Sequence, residues 1–196
     1  MVKEEQLVVP MNSYLKAGIH IGTKFKSKYM DAFIYKSRPD GLFVLNLQKI
    51  DERLKIACTL LAQYAPEDIM AVSRRENAWK PLKLFGKVTG IRVFAGRYPP
   101  GILTNPKLET FIEKKLLLVT DAWPDRNAVL DAKKMGIPVI GLCDTNNQSN
   151  DIDLVVPCNN KGKKSLGLIF WILAKEYLEK RNLGKLKEPV EDFTEE

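Results

Sequence analysis

Four short runs of this chain are apolar at almost every position: Ile69-Met70-Ala71-Val72, Leu116-Leu117-Leu118-Val119, Pro138-Val139-Ile140-Gly141-Leu142 and Leu154-Val155-Val156. A strand with one wet face alternates apolar and polar side chains, because successive side chains point to opposite faces. A run that is apolar on both sides of the pleat must be covered on both faces, which is the condition of a parallel sheet sandwiched by helices. Ile91-Arg92-Val93-Phe94 adds a fifth, less uniform strand.

The segments between these runs have helical spacing. Ile50, Leu54, Ala57, Leu61 and Tyr64 share one face of a helix expected over residues 48–64, with Asn46 as its cap. A helix over 80–88 carries Pro81 in its first turn and stops near Gly90. Asp125 is positioned to cap a helix running to Met135, with Gly136 as the stop. The last helix, 163–181, presents Leu166, Ile169, Phe170, Leu173 and Tyr177. The expected fold is therefore α/β, Rossmann-like and doubly wound, with a mainly parallel sheet and helices on both faces. In front of it come a short helix over 13–17, capped by Asn12 or Ser13 and ended by Gly18, and a β-hairpin turning through Pro39-Asp40-Gly41. Residues 1–184 are expected to form a single domain, and residues 185–196 a short, acidic, flexible tail.

Several function classes drop out on composition. No apolar run approaches the roughly 20 residues that span a bilayer, and the first ten residues lack the long apolar stretch of a secretory signal, so a cytoplasmic protein is expected. Cys58, Cys143 and Cys158 are widely separated, and His20 is the single histidine, so a zinc site is not expected. The cysteines read as small core residues, and His20 as a packed, hydrogen-bonded histidine. The net charge is +7, but five acids and no base fall in the last nine residues; without them 31 basic residues face 19 acidic ones. A body near +12 suits a polyanionic partner.

In doubly wound sheets, ligands sit beyond the carboxyl ends of the strands. Ser73, Arg74, Arg75, Thr120, Asp121, Asp144–Asn147 and Asn159–Gly162 fall there. The alternative function is a nucleotide-binding enzyme using this crevice, with Asp121 and Asp144 holding magnesium. Its supporting motifs are missing: no G-x-G-x-x-G follows a strand, no G-x-x-x-x-G-K-[ST] occurs, and no histidine stands near the strand ends. An aspartate after a strand more commonly caps the next helix or turns the loop. Two basic segments stand out instead. Lys24, Lys26 and Lys28 alternate with Phe25, Ser27 and Tyr29, so an extended backbone would put lysines on one side and aromatics on the other. Lys161, Lys163 and Lys164 flank a strand-to-helix junction whose free amides favour anions. Lys36, Arg38, Arg74, Arg75 and Arg97 are further basic points, and from Tyr14 to Lys49 seven bases meet two acids.

A family resemblance joins these pieces. Tyr14-Leu15-Lys16-Ala17-Gly18-Ile19-His20-Ile21-Gly22-Thr23, Arg38-Pro39-Asp40-Gly41-Leu42, Leu103-Thr104-Asn105-Pro106, Val119-Thr120-Asp121, Leu142-Cys143-Asp144-Thr145 and Val156-Pro157-Cys158-Asn159-Asn160-Lys161-Gly162 occur in order. Together they resemble the small-subunit ribosomal protein S-two family in its archaeal and eukaryotic form, over about residues 7–181. The resemblance implies a Rossmann-like fold without a nucleotide, and no catalysis or small-molecule substrate. It implies a structural place in the small ribosomal subunit in the cytoplasm, supporting assembly and translation, bound to small-subunit ribosomal RNA and neighbouring ribosomal proteins. No membrane is involved and no cofactor is expected; a magnesium ion bridging protein to RNA is left open. Lys24, Lys26, Lys28, Lys161, Lys163 and Lys164 would lie in loops turned to RNA. Three departures stand out. Only ten residues separate Asn105 from Leu116, leaving no room for the helical hairpin of bacterial members. Ala122-Trp123 replaces the related pattern after Asp121. The long acidic extension of animal members is also absent.

Overall fold

A computed structural model describes residues 7–194. Seven strands are present: β1 (Ile34–Ser37), β2 (Phe43–Leu45), β3 (Ile69–Ser73), β4 (Arg92–Ala95), β5 (Leu116–Val119), β6 (Val139–Cys143) and β7 (Leu154–Pro157). Six helices accompany them: α1 (Met11–Ala17), α2 (Leu47–Ala62), α3 (Trp79–Thr89), α4 (Arg126–Met135), α5 (Lys163–Lys180) and α6 (Val190–Thr194). β1 and β2 form the antiparallel hairpin. The other five strands make one parallel sheet in the order β4-β3-β5-β6-β7. This is the doubly wound arrangement, with the strand order reversing between β3 and β5.

The uniformly apolar strands are buried at every position, and the pleat sorts them into two cores. Ile69, Ala71, Leu116, Leu118, Ile140 and Leu142 belong to the larger core with α2, α3 and α5. Met70, Val72, Leu117, Val119 and Val139 belong to the smaller one, with Ala128, Val129 and Ala132 of α4. The segment after β4 completes the second face without forming a helix. Tyr98, Ile102 and Leu103 are buried there, and Asp131 of α4 accepts bonds from the Tyr98 hydroxyl at 3.2 Å and the Gly101 amide at 2.8 Å.

Helix ends follow backbone chemistry. Gly18, Gly90 and Gly136 all close helices in the left-handed conformation that L side chains avoid. The Asn46 side chain accepts the Gln48 amide, as expected of a cap. Two expected caps differ. α1 starts two residues before Ser13, after Pro10, whose ring-fixed φ suits helix entry, and no side chain caps it. Asp125 sits at the start of α4 but makes no capping bond; its carboxylate reaches across to the Arg74 amide at 3.0 Å. His20 also departs from expectation: its Nδ1 is buried with no partner among the described residues. Burial, with the Arg38 charge, holds its pKa below the usual imidazole range. All three cysteines are free and buried, and burial pushes the Cys58 thiol up to about 12.

The acidic C-terminal segment, expected to be loose, is packed along α5. Phe193 is 1% exposed, and Leu186 and Val190 pack against the larger core. The Trp171 indole donates to the Glu188 carbonyl at 3.1 Å. A Cβ on Gly167 would stand 2.6 Å from the Phe193 carbonyl oxygen, so the absence of a side chain there permits the approach. One aromatic ring outweighs the surrounding charges, because acids can stay in water while the ring is buried. Phe193→Ala should therefore lower the unfolding free energy by about 3 kcal/mol. Urea titration checks this, and a loose tail would show no change.

Candidate nucleic-acid interface

The carboxyl ends of β3, β5, β6 and β7 converge on a polar cluster beside a cavity of about 500 Å³. Four carboxylate or amide side chains of this cluster are almost fully buried: Asp121, Asp144, Asn147 and Asn160. An unpaired carboxylate in such a place costs several kcal/mol, so cations must turn inward to meet it. Arg75 does so for Asp121, through Nε at 2.6 Å and a second contact through its terminal nitrogen. Lys161 pairs with Asp144 at 2.9 Å and also reaches Asn146 at 3.0 Å.

Amides fill the remaining valences. Asn147 donates to Asp121 at 2.8 Å and accepts from the Asp144 amide at 2.8 Å. Asn160 donates to Asn147 and to the carbonyls of Thr120 and Leu142. Asp121 further accepts the Trp123 amide at 3.1 Å. The charged groups at the place where this sheet type accepts a nucleotide phosphate are thus committed to the chain's own ion pairs. Both aspartates proposed as magnesium ligands are already engaged by a cation. That geometry does not favour the enzyme reading.

Thr145 links this cluster to the first basic segment. Its hydroxyl accepts the Thr23 amide at 3.0 Å and lies 2.9 Å from the Thr23 hydroxyl, and its carbonyl accepts the Ser27 amide at 2.9 Å. Gly22 allows this contact. A Cβ there would overlap the Thr145 methyl and sit 3.0 Å from the Phe43 carbonyl oxygen. The loop so pinned exposes Lys24, Lys26 and Lys28. Phe25 is 76% and Tyr29 47% exposed, so the aromatics do not anchor the loop in the core. Lys26 pairs with Asp31 at 2.7 Å and lies over the Phe43 ring.

The other candidate cations lie on the hairpin, at the start of α5 and just past β3 and β4. Lys36 and Arg38 are exposed on the hairpin, where Arg38 pairs with Asp40 at 3.4 Å. β2 joins that hairpin to the first basic loop, since Phe43 and residues 22–23 exchange backbone bonds. Lys163 and Lys164 are exposed at the first turn of α5. Arg74 is exposed beside the half-buried Arg75, and Arg97 is exposed just past β4. Arg75 and Lys161 differ from the rest in having buried carboxylate partners. Sequence reasoning placed Asp121 and Asp144 at the strand ends but not in these pairs. The exposed Trp123 lies on the same rim.

A doubly wound scaffold whose strand-end carboxylates are paired internally, with basic loops tied to its rim, has the features of a binding module rather than of a catalyst. The comparisons agree. A family model described as ribosomal protein S2 matches residues 108–179. The small ribosomal subunit protein uS2 of Nanoarchaeum equitans is 50% identical over 190 residues, spanning 95% of this chain and 94% of its own length. The uS2 of Picrophilus torridus is 45% identical, with 97% of each chain covered. That of Saccharolobus solfataricus is 46% identical over 96% of this chain and 83% of its own. The chain belongs to the ribosomal protein S2 family, whose role is structural and non-enzymatic.

Two outcomes follow from this geometry. Gly22→Ala should destabilise the chain by about 1–3 kcal/mol through overpacking. Thr145→Ser, which removes the clashing methyl and keeps the hydroxyl, should restore at least about 0.5 kcal/mol in that background; a double-mutant cycle by urea unfolding reads both. The second concerns Asp125, whose Oδ1 is buried without a partner. Burial pushes this carboxyl up to about 6, and the neighbouring Asp121 charge adds to the rise. The folded chain then holds a proton that the unfolded chain releases near pH 4. Stability from protonated Asp125 is present below about pH 4 and declines as pH rises toward 6. Asp125→Asn keeps an acceptor for the Arg74 amide. Its stability relative to the parent should therefore climb across that window in pH-dependent urea unfolding.

Proposed function

We propose that this chain is a structural constituent of the small ribosomal subunit, in the cytoplasm, that holds small-subunit ribosomal RNA against the carboxyl edge of its sheet and supports subunit assembly and translation. Family membership carries the ribosomal role. The observation that supports the RNA-facing edge is the Thr145 anchor, which fixes a loop of exposed lysines beside Lys163 and Lys164 at the same rim. The reading divides the basic residues. Lys24, Lys26, Lys28, Lys36, Arg38, Arg74, Arg97, Lys163 and Lys164 neutralise phosphates. Arg75 and Lys161 hold the rim in shape and add their charge from behind. Neighbouring small-subunit proteins are further partners. Residues 1–184 act as one binding unit, with the C-terminal segment bracing α5.

Contacts of this kind set position and carry little base information, because the phosphates of every sequence look alike. Folded RNA is then recognised by the spacing of its phosphates and its shape. Each neutralised phosphate releases counterions, so affinity falls steeply with salt, by a slope of about 0.9 per contact. The triple substitution Lys24→Ala, Lys26→Ala, Lys28→Ala should lower the slope of log affinity against log salt by about 2 to 3. Filter binding to small-subunit ribosomal RNA from about 50 to 300 mM salt measures it. An unchanged slope would remove this loop from the interface.

A further inference from the structure

Trp123 is 79% exposed, more than any other large apolar side chain among the described residues. It is not a loose surface ring. Its own amide is held by the Asp121 carboxylate at 3.1 Å. Pro124 follows it, and the Asp125 amide bonds the Asp121 carbonyl at 3.3 Å. The next anchor is the Asp125 carboxylate on the Arg74 amide. The indole is thus presented to solvent from a loop whose backbone is tied on both sides.

Its surroundings have a specific chemistry. Trp123 lines the strand-end cavity together with Arg126, Asn146 and Gln148. Two of the three cations lining that cavity, Arg75 and Lys161, are already paired with Asp121 and Asp144. The third, Arg126, is exposed, and its side chain has no hydrogen bond or ion pair with any described residue. Asn146 and Gln148 are exposed amides, each offering donors and an acceptor. A flat aromatic face, a cation without an acceptor and amide groups at one rim match a nucleotide unit: a base to stack, a phosphate to neutralise and a base edge to bond.

We propose that Trp123 stacks one unpaired base of an RNA strand, with the strand's phosphate on Arg126 and the base edge against Asn146 and Gln148. This rests on the RNA-binding reading above and adds a single-stranded contact to it. It also gives a use to the Ala122-Trp123 departure from the family pattern. The occupant is a strand rather than a free nucleotide, because Arg75 and Lys161 are already paired and a lone nucleotide would find only Arg126 for its charge, whereas a strand also brings phosphates to the exposed lysines of the rim.

Titration of the full chain with hexa-adenylate, followed by tryptophan fluorescence, tests the site. The parent chain should be quenched, and Trp123→Phe should remove the quenching while keeping part of the affinity. Trp123→Ala should weaken binding about 5- to 100-fold, as the loss of one stacked base does. Arg126→Ala should lower the salt slope by about 0.7, the value for one phosphate of a single strand. Quenching that persists in Trp123→Phe, or unchanged affinity in Trp123→Ala, would overturn the proposal. Adenosine monophosphate binding as tightly as the hexamer would overturn the assignment to a strand. The same variants are assayed on small-subunit ribosomal RNA. If the parent chain binds that RNA and Trp123→Ala binds it equally well with no loss for hexa-adenylate, the stacking site alone falls. If hexa-adenylate behaves as expected but the parent chain ignores ribosomal RNA, the stacking site stands and the ribosomal reading falls.

Discussion

Buried carboxylates have to be matched by charge, and this requirement organises the working edge of the molecule. Asp121 and Asp144 follow their strands inside the protein, where an unpaired charge is costly. Arg75 and Lys161 turn inward to meet them. Once they do, neither cation is left over for a phosphate in the crevice of the doubly wound sheet. The fold that elsewhere houses a nucleotide here commits its strand-end charges to its own framework.

The same logic separates two kinds of basic residue. A lysine on an exposed loop keeps its water until an anion displaces it, and its contribution depends on salt. A guanidinium paired to a buried carboxylate is a structural part whose removal strands a charge in the interior. Composition alone cannot tell the two apart, since both count as one positive charge. Burial of the partner decides it.

Much of the fold was legible in the sequence, because burial on both faces writes an unbroken apolar run and left-handed turns demand glycine. Strand and helix limits came out within a residue or two, and Asn46 behaved as a cap. Two of the failures share a cause: a distant partner decided the outcome. Asp125 had a helix to cap but bonds the Arg74 amide across 51 residues. Phe193, hidden in an acidic stretch, found a glycine gap on α5. At the interface, the lysines of 24–28 were visible as charges, but nothing local indicated that Thr145 would hold them. The one available signal was Gly22, whose missing side chain makes the approach possible.

The Thr23–Thr145 link joins positions 122 apart in the chain, and Asn159 reaches back 141 residues to the Gly18 carbonyl. Contacts so remote form late, since a long stretch of backbone must be ordered before they can close. The basic loop therefore owes its shape to a residue that follows it by 122 positions. A chain still lacking β6 would carry these lysines without their arrangement. Any docking that reads the arrangement rather than the charge would thereby discriminate against half-made protein.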